Sequence, residues 1–351
     1  MAHLLITGGA GFIGTAITTA ALEAGHDVRI IDARLAPAHP VPPVVPEDAQ
    51  DLHADIRDPE ALATALDGVD VVCHQAAMVG RGQHIADAPE YASCNDLGTA
   101  LLLRAMTEAG LTRLVMASSV VVYGDGQGVC DTHGAVSAQP RTAEAVADGR
   151  YEPTCPRCAG PLAFTEVDED APAQPRNVYG ATKLAQEHLA RAWADQTGSR
   201  AVALRYHQVY GPGMNRYSSY SGVTCAFRSV VADGGTIGVY EDGLMRRDFI
   251  HVRDIAGANL AAIEAVSADV ARPAYRAYNV ATGTPTTVFD LAATMARIAG
   301  APEPVLTGAC RFDDVRHIVA RPDRIAAELG WRARVPLAEG LTEFVAAPMR
   351  G

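Results

Sequence analysis

The run from Leu4 to Thr7 followed by Gly8-Gly9-Ala10-Gly11-Phe12-Ile13-Gly14 constrains this chain more than any other feature. An apolar stretch over residues 3–7 ends in glycines at 8, 11 and 14, and the pattern then turns helical through Ala24. That order reads as strand, glycine turn and helix. Gly8 permits the tight turn, Gly11 lets backbone approach a pyrophosphate, and Gly14 lets helix and strand pack closely, with the helix N-terminus facing the phosphates. Residues 27–31 form a second apolar strand ending at Asp32. A carboxylate about twenty residues beyond the glycines accepts hydrogen bonds from ribose hydroxyls and repels a 2′-phosphate.

Glycines also serve plain tight turns, so the rest of the chain decides. The spacing predicts further strands over 69–73, 113–117 and 200–206, and helices over 95–110 and 178–197. Such alternation predicts a parallel sheet covered on both faces. Asp55-Ile56 follows a proline-rich loop and stands either at the adenine edge of a nucleotide site or as a helix cap before Pro59.

Tyr179 and Lys183 are four residues apart on a predicted helix and share a face. A lysine beside a tyrosine favours the phenolate and draws its pKa down toward proton abstraction. Ser119, in Met116-Ala-Ser118-Ser119-Val-Val-Val-Tyr123-Gly124, ends a predicted strand at the sheet edge where ligands bind, in position to share that proton. A merely polar strand end is the alternative.

With 351 residues, 48% of them hydrophobic and 20% charged, the chain is long and apolar enough for one large domain or two unequal ones. Its net charge of −12 carries no basic block, which argues against nucleic acid or an anionic membrane as partner. The start lacks the profile of a signal peptide and no apolar run has the length of a membrane span, so a cytoplasmic location is expected.

The sequence resembles the extended short-chain dehydrogenase/reductase family, the NAD-dependent nucleotide-sugar epimerases and dehydratases. The resemblance runs from Leu4 to about Trp331. It rests on the glycine loop, Asp32, D-I at 55–56, H-Q-A-A at 74–77, Asn95 with Gly98-Thr99, S-S-x-x-V-Y-G at 118–124 and Y-x-x-x-K at 179–183. R-Y-x-x-V-Y-G-P at 205–212, R-D-F-I-H-V-x-D at 247–254 and Y-N-V-A-T-G at 278–283 complete it. It implies a Rossmann-type doubly wound parallel sheet over 1–210 and a smaller substrate-binding domain over 211–351, with 247–283 partly returning to the first. It also implies a homodimer through helices near Asn95 and Val178, and tightly held NAD.

In that family the residues matching Ser119, Tyr179 and Lys183 form the catalytic triad, with Tyr179 as base. The implied cofactor contacts are Gly8, Gly11, Phe12, Ile13, Gly14, Asp32, Asp55, Ile56, Gln75, Ala76, Ala77, Asn95, Ser118, Tyr179, Lys183 and His207. The substrate contacts are Ser119, Gln208, Arg247 and Arg316. His207 and Gln208 depart from the family pattern, which has an aromatic and an asparagine there. Relatives that dehydrate the hexose carry Asp-Glu directly after the catalytic Ser or Thr. Here those positions are Val120 and Val121, which transfer no proton. The expectation is therefore a nucleotide-sugar 4-epimerase, with a decarboxylase, dehydrogenase or 4-ketoreductase of the family, or a non-catalytic NAD sensor, as alternatives.

Residues 126–172 lengthen what is a short loop in most relatives. Cys130-x2-His133 and Cys155-x2-Cys158 form two knuckles, each setting two ligands on a tight turn, and Gly134, Pro156 and Gly160 are turn residues. Together they make the donor set of a closed structural zinc site in a zinc-ribbon-like segment. A redox C-x-x-C or a chance grouping are the competing readings. The insertion is similar to one in a bacterial subgroup resembling dTDP-L-rhamnose 4-epimerases, which implies a 6-deoxyhexose nucleotide as substrate. The remaining four of the seven cysteines, 73, 94, 225 and 310, read as core thiols.

Overall fold

The computed structural model describes residues 1–36, 38–39, 41–80, 84–216, 222–268, 274–311 and 314–350. Part of the expected substrate segment (217–221), and Phe312 and Asp313 near the C-terminal arginine, lie outside the described residues.

Seven strands form one parallel sheet: β1 (His3–Thr7), β2 (Asp27–Asp32), β3 (Gln50–His53), β4 (Val71–His74), β5 (Arg113–Ser119), β6 (Arg200–Tyr206) and β7 (Tyr275–Val280). Their spatial order is 7-6-5-4-1-2-3, with every pairing parallel. The order reverses between β1 and β4, and a crevice opens there at the carboxyl ends of the strands. The central strands are apolar on both sides, as a sheet covered twice requires. Leu4, Ile6, Val71 and Val115 face a core closed by helices α1 (Phe12–Glu23) and α3 (Val252–Ser267). Leu5, Val72 and Leu114 face the other core, closed in part by α2 (Val178–Thr197).

Helix α2 has the expected ends because its caps are local. The Asn177 side chain accepts from Gly180 N at its start, and Gly198, left-handed at φ 69°, ends it. The helix expected over 95–110 instead begins as a π-helical turn, Ala92–Leu97, and becomes α-helical only over Gly98–Glu108. Within that turn Asn95 is fully buried, its amide bonded to Met78 N (2.7 Å), Met78 O (3.0 Å) and Thr182 (2.9 Å). These tertiary bonds account for the departure from α geometry.

A separate core gathers Tyr210, Phe227, Val239, Phe249, Leu291 and Phe344 beyond the sheet edge. The insertion forms a three-stranded antiparallel sheet, with Gln127–Cys130 between Gly134–Ser137 and Ala163–Phe164. It also carries a short helix, Ala143–Ala147, capped by Thr142. Among the described residues no helix is long and apolar enough to cross a membrane.

Candidate active site

The glycine loop is built so that side chains cannot enter it. A Cβ on Gly14 would lie 2.1 Å from Gly8 O, and one on Gly8, whose φ is +68°, would meet Ala76 N at 2.7 Å. Gly11 is the N-cap of α1 and carries no side-chain cap of its own, so the first amides of the helix face the crevice. The cleft has a volume of about 1260 Å³. That is more than the roughly 300–1,000 Å³ of a site for one drug-sized ligand, and it suits a dinucleotide with a second ligand beside it.

Asp32 closes the far side of the loop. Its carboxylate accepts from Ala10 N (3.1 Å) and Arg34 N (2.8 Å), and His39 Nε2 lies 3.3 Å away. Burial raises its pKa, but the His39 contact and the two amides outweigh that and hold it below the ordinary value. His39 was not singled out from sequence, since only the fold carries it back onto Asp32. Asp55 also lines the cleft, its carboxylate held by Arg57 through Nε (3.0 Å) and Nη2 (2.6 Å). It is not the helix cap; Asp58 is, accepting from Glu60 N at 2.9 Å.

Ser119, Tyr179 and Lys183 converge on the cleft from β5 and α2. The Ser119 hydroxyl accepts from Val121 N at 3.4 Å, and its influence reaches the Tyr179 phenol, whose pKa it lowers. Lys183 Nζ donates to Ala117 O at 3.0 Å and stands 6.0 Å from the Tyr179 ring centre. This differs from the arrangement expected from spacing alone. Burial pushes the phenol up to about 12, with Ser119 pulling it back, and burial pushes Lys183 down to about 8 against the pull of Glu187 and Asp96. The i, i+4 spacing puts both groups on one face, but the ammonium reaches past the ring to the β5 carbonyl. Ser118 turns away to Glu187, whose carboxylate also receives Arg205 at 2.7 Å.

Of the remaining expected residues, Ile56, Gln75, Ala76, Ala77, His207, Gln208 and Arg247 line the cleft with Phe12 and Ile13. His207 is 5% exposed, burial lowers it to about 3, and neither ring nitrogen has a hydrogen-bond partner among the described residues. A buried polar group left unpaired is costly, so a neutral donor and acceptor is held ready at the wall. Arg247 donates to the carbonyls of Arg246 (2.8 Å), Arg316 (3.0 Å) and Val315 (2.5 Å), and burial lowers it to about 10.

Two expected contacts are corrected. Asn95 is not at the cleft, because all its amide bonds are spent on Met78 and Thr182. Arg316 is not there either. It is 1% exposed and locked to Asp242 (2.7 Å), Glu152 (2.9 Å) and Glu241 (3.1 Å), so no donor is left to face a ligand. Arg311 and Tyr240, not singled out from sequence, line the cleft instead, with the guanidinium 4.8 Å from the ring centre.

A family model described as the NAD dependent epimerase/dehydratase family matches residues 4–147 and 151–281. This chain belongs to the NAD-dependent epimerase/dehydratase family. It is 34% identical to the dTDP-L-rhamnose 4-epimerase of Burkholderia thailandensis, over 97% of this chain and 93% of that protein. The structure of UDP-glucose 4-epimerase from Thermotoga maritima with UDP-glucose superposes with a TM-score of 0.79 at 25% identity, over 98% of this chain and 97% of that one. That of the Thermus thermophilus UDP-glucose 4-epimerase complex with NAD gives 0.74 at 27% identity, with the same coverage.

Val120 and Val121 line the cleft within the turn that follows Ser119.

Cys130, His133, Cys155 and Cys158 also meet, away from the cleft, with their four donor atoms within 4.8 Å of one another. Tetrahedral zinc, with Zn–S about 2.3 Å and Zn–N about 2.0–2.1 Å, sets sulfurs about 3.8 Å apart and sulfur and nitrogen about 3.6 Å apart. The Cys130 and Cys158 sulfurs are 3.6 Å apart, and His133 Nδ1 is 3.5 Å from both Cys130 and Cys155. The donor set therefore fits one such ion.

Proposed function

We propose that this protein is a nucleotide-sugar 4-epimerase acting on a dTDP-6-deoxyhexose such as dTDP-L-rhamnose. The observation that carries the reading is the Ser119–Tyr179 pair at the cleft with Val120 and Val121 beside it. One proton-transfer system, with valines in the two positions that follow its serine, suits oxidation and its reversal better than elimination of water.

The residues then divide the work. The glycine loop and the start of α1 take the pyrophosphate of NAD, and Asp32 takes the adenosine ribose. Lys183 holds the nicotinamide ribose. When bound, NAD would supply the acceptor for the C4 hydride and the source of its return. Tyr179 acts as the phenolate, a form that Ser119 favours and that the positive charge of a bound nicotinamide beside Lys183 would favour further; its Oη receives the proton of the C4 hydroxyl and gives it back after the 4-keto sugar has turned over in the cleft. Arg247 meets the nucleotide diphosphate, where a guanidinium fork suits two phosphate oxygens. His207 stands beside the nicotinamide and Gln208 faces the sugar diphosphate, in place of the aromatic and asparagine of relatives.

Zinc held by Cys130, His133, Cys155 and Cys158 belongs to the same reading as a structural part without a chemical step. So does a homodimer through the helices at Gly98–Glu108 and Val178–Thr197. The test of activity is a panel of dTDP-, UDP-, GDP- and CDP-sugars followed by NMR without added NAD. Epimer without net redox supports the reading; carbon dioxide release or a need for stoichiometric cofactor sinks it.

A further inference from the structure

The insertion has almost no core of its own. Its buried apolar cluster is Cys130, Val136, Ala138, Cys155 and Leu162, and two of those five are members of the Cys/His set. A unit so small needs a staple to hold a shape. The loop between the two knuckles, residues 134–154, is the part a metal would close. On that loop sit Arg141 and Glu152, which tie the insertion to the segment around Arg316.

Arg141, 8% exposed, grips Glu241 with Nη1 (2.9 and 2.8 Å). Its Nη2 donates to the backbone carbonyls of Arg311 (3.1 Å) and Asp314 (2.7 Å), residues that line the cleft. Glu152 receives Arg316 Nε (3.0 Å) and Nη2 (2.9 Å) on one oxygen and lies 2.8 Å from His317 Nε2 on the other. The segment these two clamps hold is the one on which Arg247 rests, through the carbonyls of Val315 and Arg316. Phe164 adds a contact from the far side of the insertion, its ring 5.0 Å from the Arg246 guanidinium and 5.4 Å from the His317 ring.

We propose that the metal-closed insertion positions Arg247: by clamping Arg311, Asp314, Arg316 and His317 through Arg141 and Glu152, it sets the affinity of the cleft for a nucleoside diphosphate and leaves the dinucleotide end unaffected. The proposal rests on the zinc reading and on Arg247 as the diphosphate contact. Arg141 and Glu152 are positioning residues, since neither lines the cleft. A displaced guanidinium loses much of its value, because phosphate recognition by a fork depends on angle as well as distance. The glycine loop and Asp32 are held by Ala10 N, Arg34 N, His39 and Arg350 and share none of these bonds.

The test uses binding, which is readable whether or not a sugar is epimerised. UDP and dTDP affinities are measured by calorimetry, NAD affinity by fluorescence and metal by mass spectrometry, on the parent and on Cys158→Ser, Arg141→Met and Arg141→Lys. The parent carries about one zinc per chain, as a closed four-ligand site requires. Cys158→Ser loses zinc and weakens binding of the preferred diphosphate by roughly tenfold or more, with NAD affinity within about twofold. Arg141→Met keeps its zinc and shows the same loss, and Arg141→Lys falls between it and the parent. Where a sugar is turned over, the loss is in KM and not kcat. A metal-free parent, a zinc-free variant that binds diphosphate like the parent, or NAD affinity falling in step with diphosphate overturns the proposal. A parent that binds neither UDP nor dTDP overturns it together with the diphosphate role of Arg247. A parent that binds one of them but epimerises no sugar removes only the epimerase reading.

Discussion

Lys183 is held in the fold at a cost to stability, and replacing it by methionine exposes that cost. The ammonium is 3% exposed and burial brings its pKa from 10.5 to about 8. At about 1.4 kcal/mol per unit, the charged form is disfavoured in the folded state by about 3 kcal/mol. The folded pKa is depressed below the unfolded one, so the folded chain binds fewer protons between them. The penalty is therefore complete below pH 8, relieved as pH rises, and gone above the unfolded value. Lys183→Met removes it but leaves Ala117 O without its 3.0 Å donor, a loss of about 1–2 kcal/mol. The variant should be about 1–2 kcal/mol more stable than the parent at pH 7 and no more stable at pH 10.5, while losing activity. Urea unfolding of nucleotide-free protein at both pH values reads this directly. A variant less stable than its parent at pH 7, or a stability difference that does not change with pH, refutes the reasoning.

Tyr179→Phe keeps NAD bound, read by absorbance of the purified protein, and lowers kcat by roughly 10²–10⁴; a near-normal rate removes Tyr179 as the base. Gly14→Ala drives a methyl to within 2.1 Å of Gly8 O, so NAD affinity collapses or the protein fails to fold, and a variant titrating NAD like the parent contradicts the loop geometry. Asp32→Ser removes the charge that faces a 2′-phosphate, and the NAD-over-NADP preference should fall by roughly tenfold or more in paired fluorescence titrations.

What could be read in the sequence follows from how local its causes are. The glycine loop, Asp32 and the Tyr179–Lys183 face are set by spacing within one or two elements, and helix Val178–Thr197 announced both ends through Asn177 and Gly198. The valines after Ser119 needed only the strand end to be placed. Strand β4 was displaced, 69–73 against Val71–His74, because its start depends on which residues pair with β1. Arg316 was misplaced for a longer-range reason. Nothing near it in sequence shows that Glu152, Glu241 and Asp242 converge on it from separate segments. Arg141 and His39 were invisible for the same reason. The four Cys/His donors were legible as two knuckles, but their link to the cleft runs through charges that no spacing rule connects.

In the proposed reaction C4 gives up a hydride and takes the same one back. The direct measurement uses the sugar nucleotide that the panel shows to be turned over, labelled with deuterium at C4, with no NAD added. The account predicts an epimer that keeps the deuterium at C4, with no label in solvent or in free dinucleotide. Deuterium washed out to water, or carried off in released dinucleotide, contradicts it.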